Sequence, residues 1–245
     1  MFEILSCKEC ISWTDYDNKR MHYMKNIEDL FISIEYLYVK CRSDRYTAKT
    51  SVENIDIHIK KGSNILYCDI DNYGWAISYY IPMCNYIKSC VVGNKIQNIR
   101  DNDAIIGVNN NIFVDNMPIH YSELCKKSCY LDSEMYSLFS SKKTVRALIE
   151  NGIKKSKSTL LFEQICSLFD LSKDRLDRPI NCTGNERFRA MAAVGLSFGK
   201  DIFCFPWMSK KSVEYYGWNL KYVLRVLANC GKIVILPTNA DDKII

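Results

Sequence analysis

The last third of the chain alternates predicted helices and strands, and both strands contain a continuous apolar run. Asp201–Phe205 has the sequence DIFCF and Lys232–Leu236 has KIVIL, without the alternation of a strand that has one solvated face. Helices are predicted at Asn185–Phe198 and at Ser212–Cys230, and Gly231 ends the second. Continuous apolar strands separated by helices are typical of a parallel sheet covered by helices.

The first third has strands of another kind. Phe31–Lys40 (FISIEYLYVK) is rich in aromatic and β-branched residues, and Asn54–Lys60 alternates isoleucines with polar residues. Both patterns predict strands, and the second predicts a half-buried one. Asn64–Cys68 is predicted as a short apolar strand, and residues 104–114 as a pair of strands around positions 109–111. These opening strands are antiparallel in character, so we expect a mixed α/β architecture.

Two amphipathic helices are predicted between these regions. One covers Thr144–Lys155, and the other covers Ser158–Leu171 with Ser158 as a candidate N-cap. The segment Ser172–Pro179 breaks the second pattern. The basic residues between positions 142 and 157 are interrupted by leucine and isoleucine, so we interpret them as a solvated helix face.

Composition excludes several classes of protein. The chain has 245 residues, 48% of them hydrophobic, which is enough for one compact globular unit. The net charge of +5 comes from 33 basic and 28 acidic residues scattered along the chain, so no nucleic-acid partner is expected. No apolar run approaches the ~18 residues of a membrane span, and no signal peptide is expected after Met1. Another chain would have to supply any membrane-spanning part.

Twelve cysteines form no regular framework, so we expect reduced and mostly buried thiols in a cytosolic compartment. Cys7 and Cys10 form a CxxC pair and Cys125 and Cys129 a CxxxC pair, but the separation of the two pairs is far outside zinc-finger spacing. Because the chain has only 3 histidines, uncorrelated thiols are favoured over a structural zinc site. No metal ligand is assigned.

Two acidic pairs leave an enzymatic alternative open. Asp69 with Asp71, and Asp101 with Asp103, could each bind a metal ion as close carboxylates. Asp-x-Asp in a loop is more often a turn, and no Ser-His-Asp grouping accompanies these pairs. An unrelated enzyme is therefore the least favoured function, and no catalytic residue is assigned.

Several short segments lie in a fixed order along the chain. Cys182–Arg187 (CTGNER) opens the predicted helix before DIFCF, and Pro206–Ser209 (PWMS) follows that strand. Upstream, VENIDIHIKKG ends at Gly62, and an ungapped count from there reaches Asp69–Ala76 (DIDNYGWA). Downstream, GKIVILPTN spans Gly231–Asn239.

In order and spacing, these segments resemble the landmarks of the ATP-binding subunits of ABC transporters. The first resembles the signature loop of that family, Pro206–Ser209 its Asp-Glu-Pro-Thr, Asp69–Ala76 its P-loop, and Asn239 its switch histidine. The resemblance covers about residues 31–240. It implies the ABC-type P-loop ATPase fold, with a mixed sheet core, an antiparallel β subdomain and a helical subdomain.

The same resemblance implies a division of the chain. Residues 1–29 would be an N-terminal extension, and residues 30–245 would form the ABC ATPase-like domain. Its helical subdomain would cover residues from about 132 to 190.

The resemblance also implies that the P-loop residues are replaced. Of the pattern G-x-x-x-x-G-K-[ST] only Gly74 matches. Asp69 stands for the first glycine, Asn72 lies inside the loop, Trp75 stands for the lysine and Ala76 for the hydroxyl residue. In a P-loop the lysine neutralises phosphate oxygens and the hydroxyl binds Mg²⁺. Trp75 supplies no cation and Ala76 no metal ligand.

The groups that would activate water are replaced as well. Pro206 and Trp207 stand in the place of the family's Asp-Glu pair, and Asn239 in the place of its histidine. None of the three supplies a carboxylate for a second Mg²⁺ or a base that activates water. Each such group is commonly worth roughly a hundredfold or more in rate, so no hydrolysis by this chain is expected.

The signature position keeps more of its pattern. Thr183 has a hydroxyl, Gly184 matches the first glycine, Asn185 replaces the second, and Glu186 and Arg187 are a common ending in the family. In ABC proteins this loop contacts the nucleotide held by the opposite subunit, at a helix N-terminus whose N–H groups favour a phosphate. The alternative is that Thr183 only caps the helix, with Glu186 as its capping-box partner.

We therefore expect a catalytically degenerate subunit that pairs with an active ABC ATPase subunit and with transmembrane transporter subunits. It would be cytoplasmic and peripheral at the inner face of the membrane, and would meet ATP and Mg²⁺ only through its partner. Trp75, Trp207 and Trp218 would pack a subunit interface. Family analogy suggests peptide or bacteriocin export or immunity. The alternative is a scaffold or regulatory module that keeps the fold without transport.

Overall fold

A computed structural model describes residues 26–42, 47–68, 74–83, 90–92, 95–97, 104–108, 110–132 and 143–241. Several residues singled out above lie outside these ranges. They are Cys7, Cys10, Asp69, Asp71, Asn72, Asp101 and Asp103.

The first sheet is antiparallel, as the opening patterns predict. Its strands are β1 (Asp29–Arg42), β2 (Thr47–Lys60), β6 (Ala104–Val108), β7 (Asn111–Val114) and β8 (Met117–Pro118). Their order is β2-β1-β7-β8, and β6 also pairs with β1. The expectation of a strand pair within residues 104–114 is therefore wrong in one respect. Both strands exist, but each pairs with β1 and not with the other.

The second sheet is parallel, as the apolar strands of the last third predict. It contains β3 (Gly62–Tyr67), β9 (Ser128–Tyr130), β10 (Ile202–Cys204) and β11 (Ile233–Thr238), in the order β3-β11-β10-β9. The antiparallel character expected of the opening strands is therefore wrong for Asn64–Cys68, because β3 pairs in parallel with β11. All six residues of β11 are buried, since it lies between two strands and is covered on both faces. A separate two-stranded ribbon pairs β4 (Cys90–Val92) with β5 (Lys95–Gln97).

Helix α1 (Gly74–Met83) lies between the two sheets, and every one of its residues is buried. Leu30 and Ile32 of the antiparallel sheet, Trp75 of α1, and Ile202 and Ile233 of the parallel sheet belong to one apolar cluster. A helix that is apolar on all sides can only be stable inside such a core. The short helix α2 (Tyr121–Lys127) packs beside α1 and leads into β9.

The other face of the parallel sheet is covered by helices from the second half of the chain. Phe203, Val234 and Leu236 point into this second apolar cluster, while their neighbours point to α1. The helices are α3 (Val145–Ser156), α4 (Phe162–Leu168), α5 (Lys173–Leu176), α6 (Arg187–Ser197) and α7 (Lys210–Asn229). Single 3₁₀ turns at Ile180–Cys182 and Gly184–Glu186 precede α6.

The predicted helix at residues 158–171 is shorter than the sequence suggests. Helix α4 begins at Phe162 with Leu161 as its N-cap, so the interpretation of Ser158 as an N-cap is wrong. The Ser158 hydroxyl instead accepts from the backbone N–H of Leu160, which stabilises a local turn. Thr144, by contrast, does cap α3, because its Oγ1 accepts from the N–H of Ala147 at 3.2 Å.

The packed part of the chain begins before residue 30, the boundary expected from the sequence. Ile27 is buried in the cluster around α1, and Oδ1 of Asn26 accepts from Nζ of Lys232 at 3.4 Å. Residues 26–29 are therefore part of the fold. Within the described ranges, no helix is long and apolar enough to cross a membrane.

Candidate functional site

The carboxyl ends of β3, β10 and β11 meet at one edge of the parallel sheet. Beyond the ends of the strands, the N–H of Cys68 donates to the carbonyl of Thr238 at 2.8 Å. Met208 donates its N–H to Pro237 at 3.0 Å and accepts at its carbonyl from Oγ1 of Thr238 at 2.6 Å. In open α/β folds, ligands bind at this edge. It is therefore the first place to look for function.

Side chains of the protein itself form hydrogen bonds with the backbone carbonyl groups at this edge. Nε1 of Trp207 donates to the carbonyl of Cys68 at 2.9 Å, and Oγ of Ser78 in α1 donates to the carbonyl of Phe205 at 2.7 Å. Pro206, between Phe205 and Trp207, is buried and has no N–H to offer. The three polar residues Cys68, Ser78 and Thr238 were not singled out from the sequence, since no motif marks them.

The residues in the place of the P-loop helix face inward. Trp75 is 1% exposed and Ala76 is fully buried, in the core between the two sheets. A Cβ added at Gly74 would lie 2.8 Å from Sγ of Cys68, so this glycine is required by the close approach of α1 to the end of β3. The expectation that Trp75 packs a subunit interface is wrong, because its indole is already enclosed by the core. Its Nε1 has no hydrogen-bond partner among the described residues.

Asn239 has a structural partner in the next helix. The residue is exposed, and its Oδ1 accepts from the backbone N–H of Lys210 at 2.8 Å, in the first turn of α7. Nζ of Lys210 pairs with Asp241 at 2.8 Å, and this pair raises the pKa of the lysine. The ion pair is exposed, so it adds little to stability. Together with the hydrogen bond of Asn239, this pair links the segment after β11 to the start of α7.

These residues do not fit magnesium-bound ATP. Trp75 fills the place of the phosphate-binding lysine with a buried indole, and Ala76 has no oxygen to bind a metal. Pro206 and Trp207 carry no carboxylate. The described part of the chain contains no group of three or more His, Cys, Asp or Glu that could hold a metal ion. Among the described residues at this edge, Trp75, Ala76 and Trp207 therefore supply no cation, metal ligand or base for that nucleotide.

The signature-like segment, Cys182–Arg187, does not have the hydrogen bonds of a simple helix cap. Thr183 is fully buried, and its Oγ1 donates to the carbonyl of Ile180 at 2.7 Å. The alternative in which Thr183 caps α6 is wrong, because it makes no side-chain cap hydrogen bond and Glu186 is the residue at the N-cap position. Gly184 has φ +61 and is exposed, as is Asn185. These two residues form the exposed tip of the segment.

Glu186 and Arg189 form a buried charge network at the start of α6. Arg189 donates to the carboxylate and to the carbonyl of Asp170, each at 2.8 Å, and its guanidinium lies 3.8 Å from Oε1 of Glu186. Glu186 accepts from the N–H of Ser172 at 3.2 Å. Trp218 covers the guanidinium of Arg189, 5.4 Å from the ring centre. This network was not predicted from the sequence, although an arginine inside a helix of small apolar residues was its signal.

Arg187 connects the same segment to α7. Its guanidinium lies over the Phe188 ring at 5.2 Å and donates to Oη of Tyr216 at 3.4 Å. Phe188 packs edge-on against Tyr216 with ring centres 4.8 Å apart. The signature-like segment and the first half of α7 therefore form one continuous surface region.

Cysteines near the sheet are held as neutral thiols. Burial raises the pKa of Cys129 to about 12, although the charge of Lys200 acts in the opposite direction. Burial also raises the pKa of Cys204 well above its usual range. The same environment lowers the pKa of Lys200, whose Nζ donates to the carbonyl of Lys126 at 2.7 Å. Thiolate chemistry is disfavoured at these two cysteines. Of the described cysteines, Cys68, Cys125 and Cys204 are buried and Cys182 is exposed.

Comparison with known proteins gives a result for structures only. No protein-family model matches the sequence, and no curated protein matches it. Among solved structures, a protein of Pyrococcus furiosus described as an ABC transporter (ATP-binding protein) is 15% identical, with 87% of this chain and 92% of that chain covered and a TM-score of 0.51. A bacterial ABC transporter cassette solved as a dimer is 13% identical, with 87% and 89% covered and a TM-score of 0.51.

At such low identity the likeness concerns the fold, and it extends over most of both chains. This confirms the fold expected from the order of the sequence landmarks. The chain has the mixed α/β fold of the ATP-binding proteins of ABC transporters.

Proposed function

We propose that this chain is a subunit of an ABC transporter that does not hydrolyse ATP itself. It pairs with an active ATP-binding subunit and, through the assembly, with transmembrane subunits at the cytoplasmic face of the membrane. Support comes from the fold it shares with ABC transporter proteins. A shared fold does not determine function, so the proposal rests on the residues at the ends of the strands.

The single observation that carries the proposal is the buried indole of Trp75. It is 1% exposed at the second residue of α1, the place of the P-loop lysine. A lysine in that place supplies the positive charge that neutralises the transferring phosphate. An enclosed apolar ring cannot do so, and moving it out would leave a cavity in the core that costs about 3–5 kcal/mol.

The second support is the fixed role of the residues at the other strand ends. Trp207 is bonded to Cys68, and Asn239 to the backbone of Lys210. Neither side chain provides a carboxylate for a metal ion or a base for water. Within the part of the chain that the structure describes, these strand ends supply no lysine, no metal-binding carboxylate and no base for phosphoryl transfer.

The part of the proposal that concerns the partner rests on Gly184 and Asn185. Both are exposed, and they precede α6, whose first N–H groups have no side-chain cap. Such a helix start favours a phosphate, so the segment can complete a nucleotide site held by another subunit. ATP and Mg²⁺ would then belong to the partner. The cargo class we propose, by analogy with compact ABC exporters, is a peptide.

The test is ATP hydrolysis by the purified chain and by its complex with the subunits encoded beside it. The lone chain should be inactive and the complex active. Gly184→Asp places a negative charge at the exposed tip and should lower the activity of the complex by about a hundredfold or more. Asn181→Asp adds the same charge to an exposed residue three positions earlier and should leave activity unchanged. Hydrolysis by the lone chain would refute the proposal.

One observation favours a second candidate, a scaffold or regulatory module without transport. The Thr183 hydroxyl is fully buried and donates to Ile180, so it is not available to a nucleotide in this conformation. If Gly184→Asp and Asn181→Asp leave the complex equally active, the tip has no part in catalysis. The scaffold function is then the better account of the chain.

A further inference from the structure

The start of α7 carries the most exposed aromatic side chains of the described residues. Tyr215 is 79% exposed and Trp218 is 57% exposed. Leaving such large apolar rings in water is unfavourable, and Trp and Tyr are the residues that most often dominate binding energy in protein interfaces. The two rings are three positions apart, so a partner can cover both at once.

A break in the helix gives these rings their positions. Gly217 lies between them with φ 37 and ψ −113, which is not helical. A residue with a Cβ rarely adopts a positive φ, so glycine is needed at this position. A Cβ there would meet nothing within 4 Å, which means that the backbone angle alone selects glycine. The chain therefore maintains a kink at the centre of its aromatic surface.

Neighbouring side chains hold both rings before any partner arrives. Tyr215 packs edge-on against Tyr216 at 5.1 Å, and Trp218 packs against Tyr222 at 5.0 Å and over Arg189 at 5.4 Å. Rings that are already fixed lose little conformational entropy on binding. The surface is thus arranged in advance for a contact.

Charge on the same helix selects the partner. Helix α7 contains four basic residues and one acidic residue, Glu214. Lys210 is paired with Asp241, but the exposed Lys211, Lys221 and Arg225 have no ion pair within the described ranges. Three unpaired cations against one carboxylate make this surface positive. Two copies of it would repel each other, whereas an acidic surface would be attracted.

We propose that Lys211, Tyr215, Trp218, Lys221 and Arg225, the basic aromatic surface of α7, bind an acidic protein surface that has apolar pockets for the two rings. Resting on the proposed function, that protein is the active ATP-binding subunit. Its contact is continuous with the signature-like segment, because Tyr216 touches Arg187 and Phe188 and Trp218 covers Arg189. The contact needs no nucleotide, so it can hold the pair together where this chain's own site cannot.

The direct test is site-specific photo-crosslinking of the full-length chain in its natural host. A benzophenone amino acid replaces Tyr215, and in a control replaces Leu161, which is 63% exposed at the N-cap of α4. We expect a crosslink from position 215 to a peptide of the active ATP-binding subunit that is rich in Asp and Glu, and none from position 161. Crosslinks to lipid, to a second copy of this chain, or to no protein would overturn the proposal.

Affinity measurements separate the two parts of the surface. Tyr215→Ser and Trp218→Ser should each weaken the complex roughly 30-fold, as loss of an interface hot spot does. Lys211→Glu with Lys221→Glu should slow association about tenfold and remove its dependence on salt. Lys154→Glu, an exposed change on α3, serves as the control for added negative charge. Unchanged affinity in the serine variants would refute the proposed contact.

The two proposals can fail separately. Gly184→Asp tests the contribution of the tip to hydrolysis, and the serine variants test assembly. If Gly184→Asp has no effect while Trp218→Ser dissociates the complex, the proposed contact at α7 is supported and the proposed composite nucleotide site is refuted. If Gly184→Asp abolishes hydrolysis while Trp218→Ser leaves affinity unchanged, the composite site stands and the surface on α7 does not.

Discussion

Nε1 of Trp207 donates a hydrogen bond of 2.9 Å to the carbonyl oxygen of Cys68. The bond joins the residues that follow two strands of the parallel sheet, at the edge where an α/β protein would bind its ligand. The Trp207 side chain therefore makes a structural hydrogen bond at this edge. We therefore expect the free energy of unfolding to depend on this hydrogen bond.

Trp207→Phe should lower the free energy of unfolding by about 1–2 kcal/mol, because it removes this hydrogen bond and part of the indole contact area. Urea denaturation followed by circular dichroism would measure the change as a lower midpoint at constant slope. Trp218→Phe is the matched control, since Trp218 is 57% exposed and the change should stay within about 0.5 kcal/mol. Equal effects of the two substitutions would contradict the structural role of Trp207.

Close packing of α3 on α6 gives a second prediction. Gly152 faces α6, where an added Cβ would overlap Ser197 and lie 2.8 Å from the Phe198 ring. Gly152→Ala should therefore destabilise the chain by about 1–3 kcal/mol, although alanine is the better helix former by about 1 kcal/mol. The exposed Lys154→Ala on the same helix should change stability by less than about 0.5 kcal/mol.

A rescue experiment checks the cause of that loss. Ser197→Gly removes the side chain that the new Cβ would overlap, so the double variant with Gly152→Ala should recover a large part of the stability. The coupling energy between the two positions should be about 1 kcal/mol or more, as for residues in direct contact. Simple additivity of the two substitutions would show that the helices are not in close contact at Gly152.

Two ion pairs of similar geometry should differ widely in strength. Lys232 and Asp201 are 2.8 Å apart with side chains only 7% and 13% exposed, whereas Lys61 and Glu28 are 2.9 Å apart and 38% and 63% exposed. Lys232→Met leaves a buried carboxylate without its nearest cation, and Lys127 at 3.6 Å compensates only in part. We expect a loss of about 3 kcal/mol, against less than about 1 kcal/mol for Lys61→Met. Thermal unfolding of both variants would test the contrast.

The centre of the parallel sheet could be predicted from sequence because β10 and most of β11 are continuous apolar runs. Asp201–Phe205 and Lys232–Leu236 include β10 and most of β11, and Gly231 ends α7 as expected. The start of α4 could not be predicted in the same way. Ser158 has the chemistry of an N-cap, but its hydroxyl closes a local turn instead, and both uses have the same sequence signature.

The candidate site was predictable in position but not in contacts. Pro206 and Trp207 were expected after one apolar strand and Asn239 after the other, and in the structure they follow β10 and β11. That Trp75 is enclosed, and that Thr183 donates to Ile180 rather than capping α6, depends on how distant segments pack. Such contacts are set by tertiary structure, which overrides local propensity.

Thiol reactivity provides the last prediction. Cys204 lies at the centre of the parallel sheet, where it is fully buried and its pKa is raised well above the usual range. Burial raises the pKa of Cys129 to about 12, so at pH 8 only about one molecule in ten thousand carries the reactive thiolate there. Cys182, by contrast, is exposed beside the signature-like tip. Iodoacetamide should therefore modify Cys182 at least a hundredfold faster than Cys204 or Cys129.

Peptide-level mass spectrometry on a time course at pH 8 would measure these rates separately. At pH 9 Cys129 and Cys204 should still be protected, because a folded-state pKa of about 12 keeps the Cys129 thiol neutral over this whole range and burial raises the pKa of Cys204. Adding a denaturing concentration of urea should bring the three rates together, since unfolding removes the burial that raises the pKa of the buried pair. Rapid modification of Cys204 in the folded chain would mean that the sheet is open to solvent at β10, which contradicts the packing described.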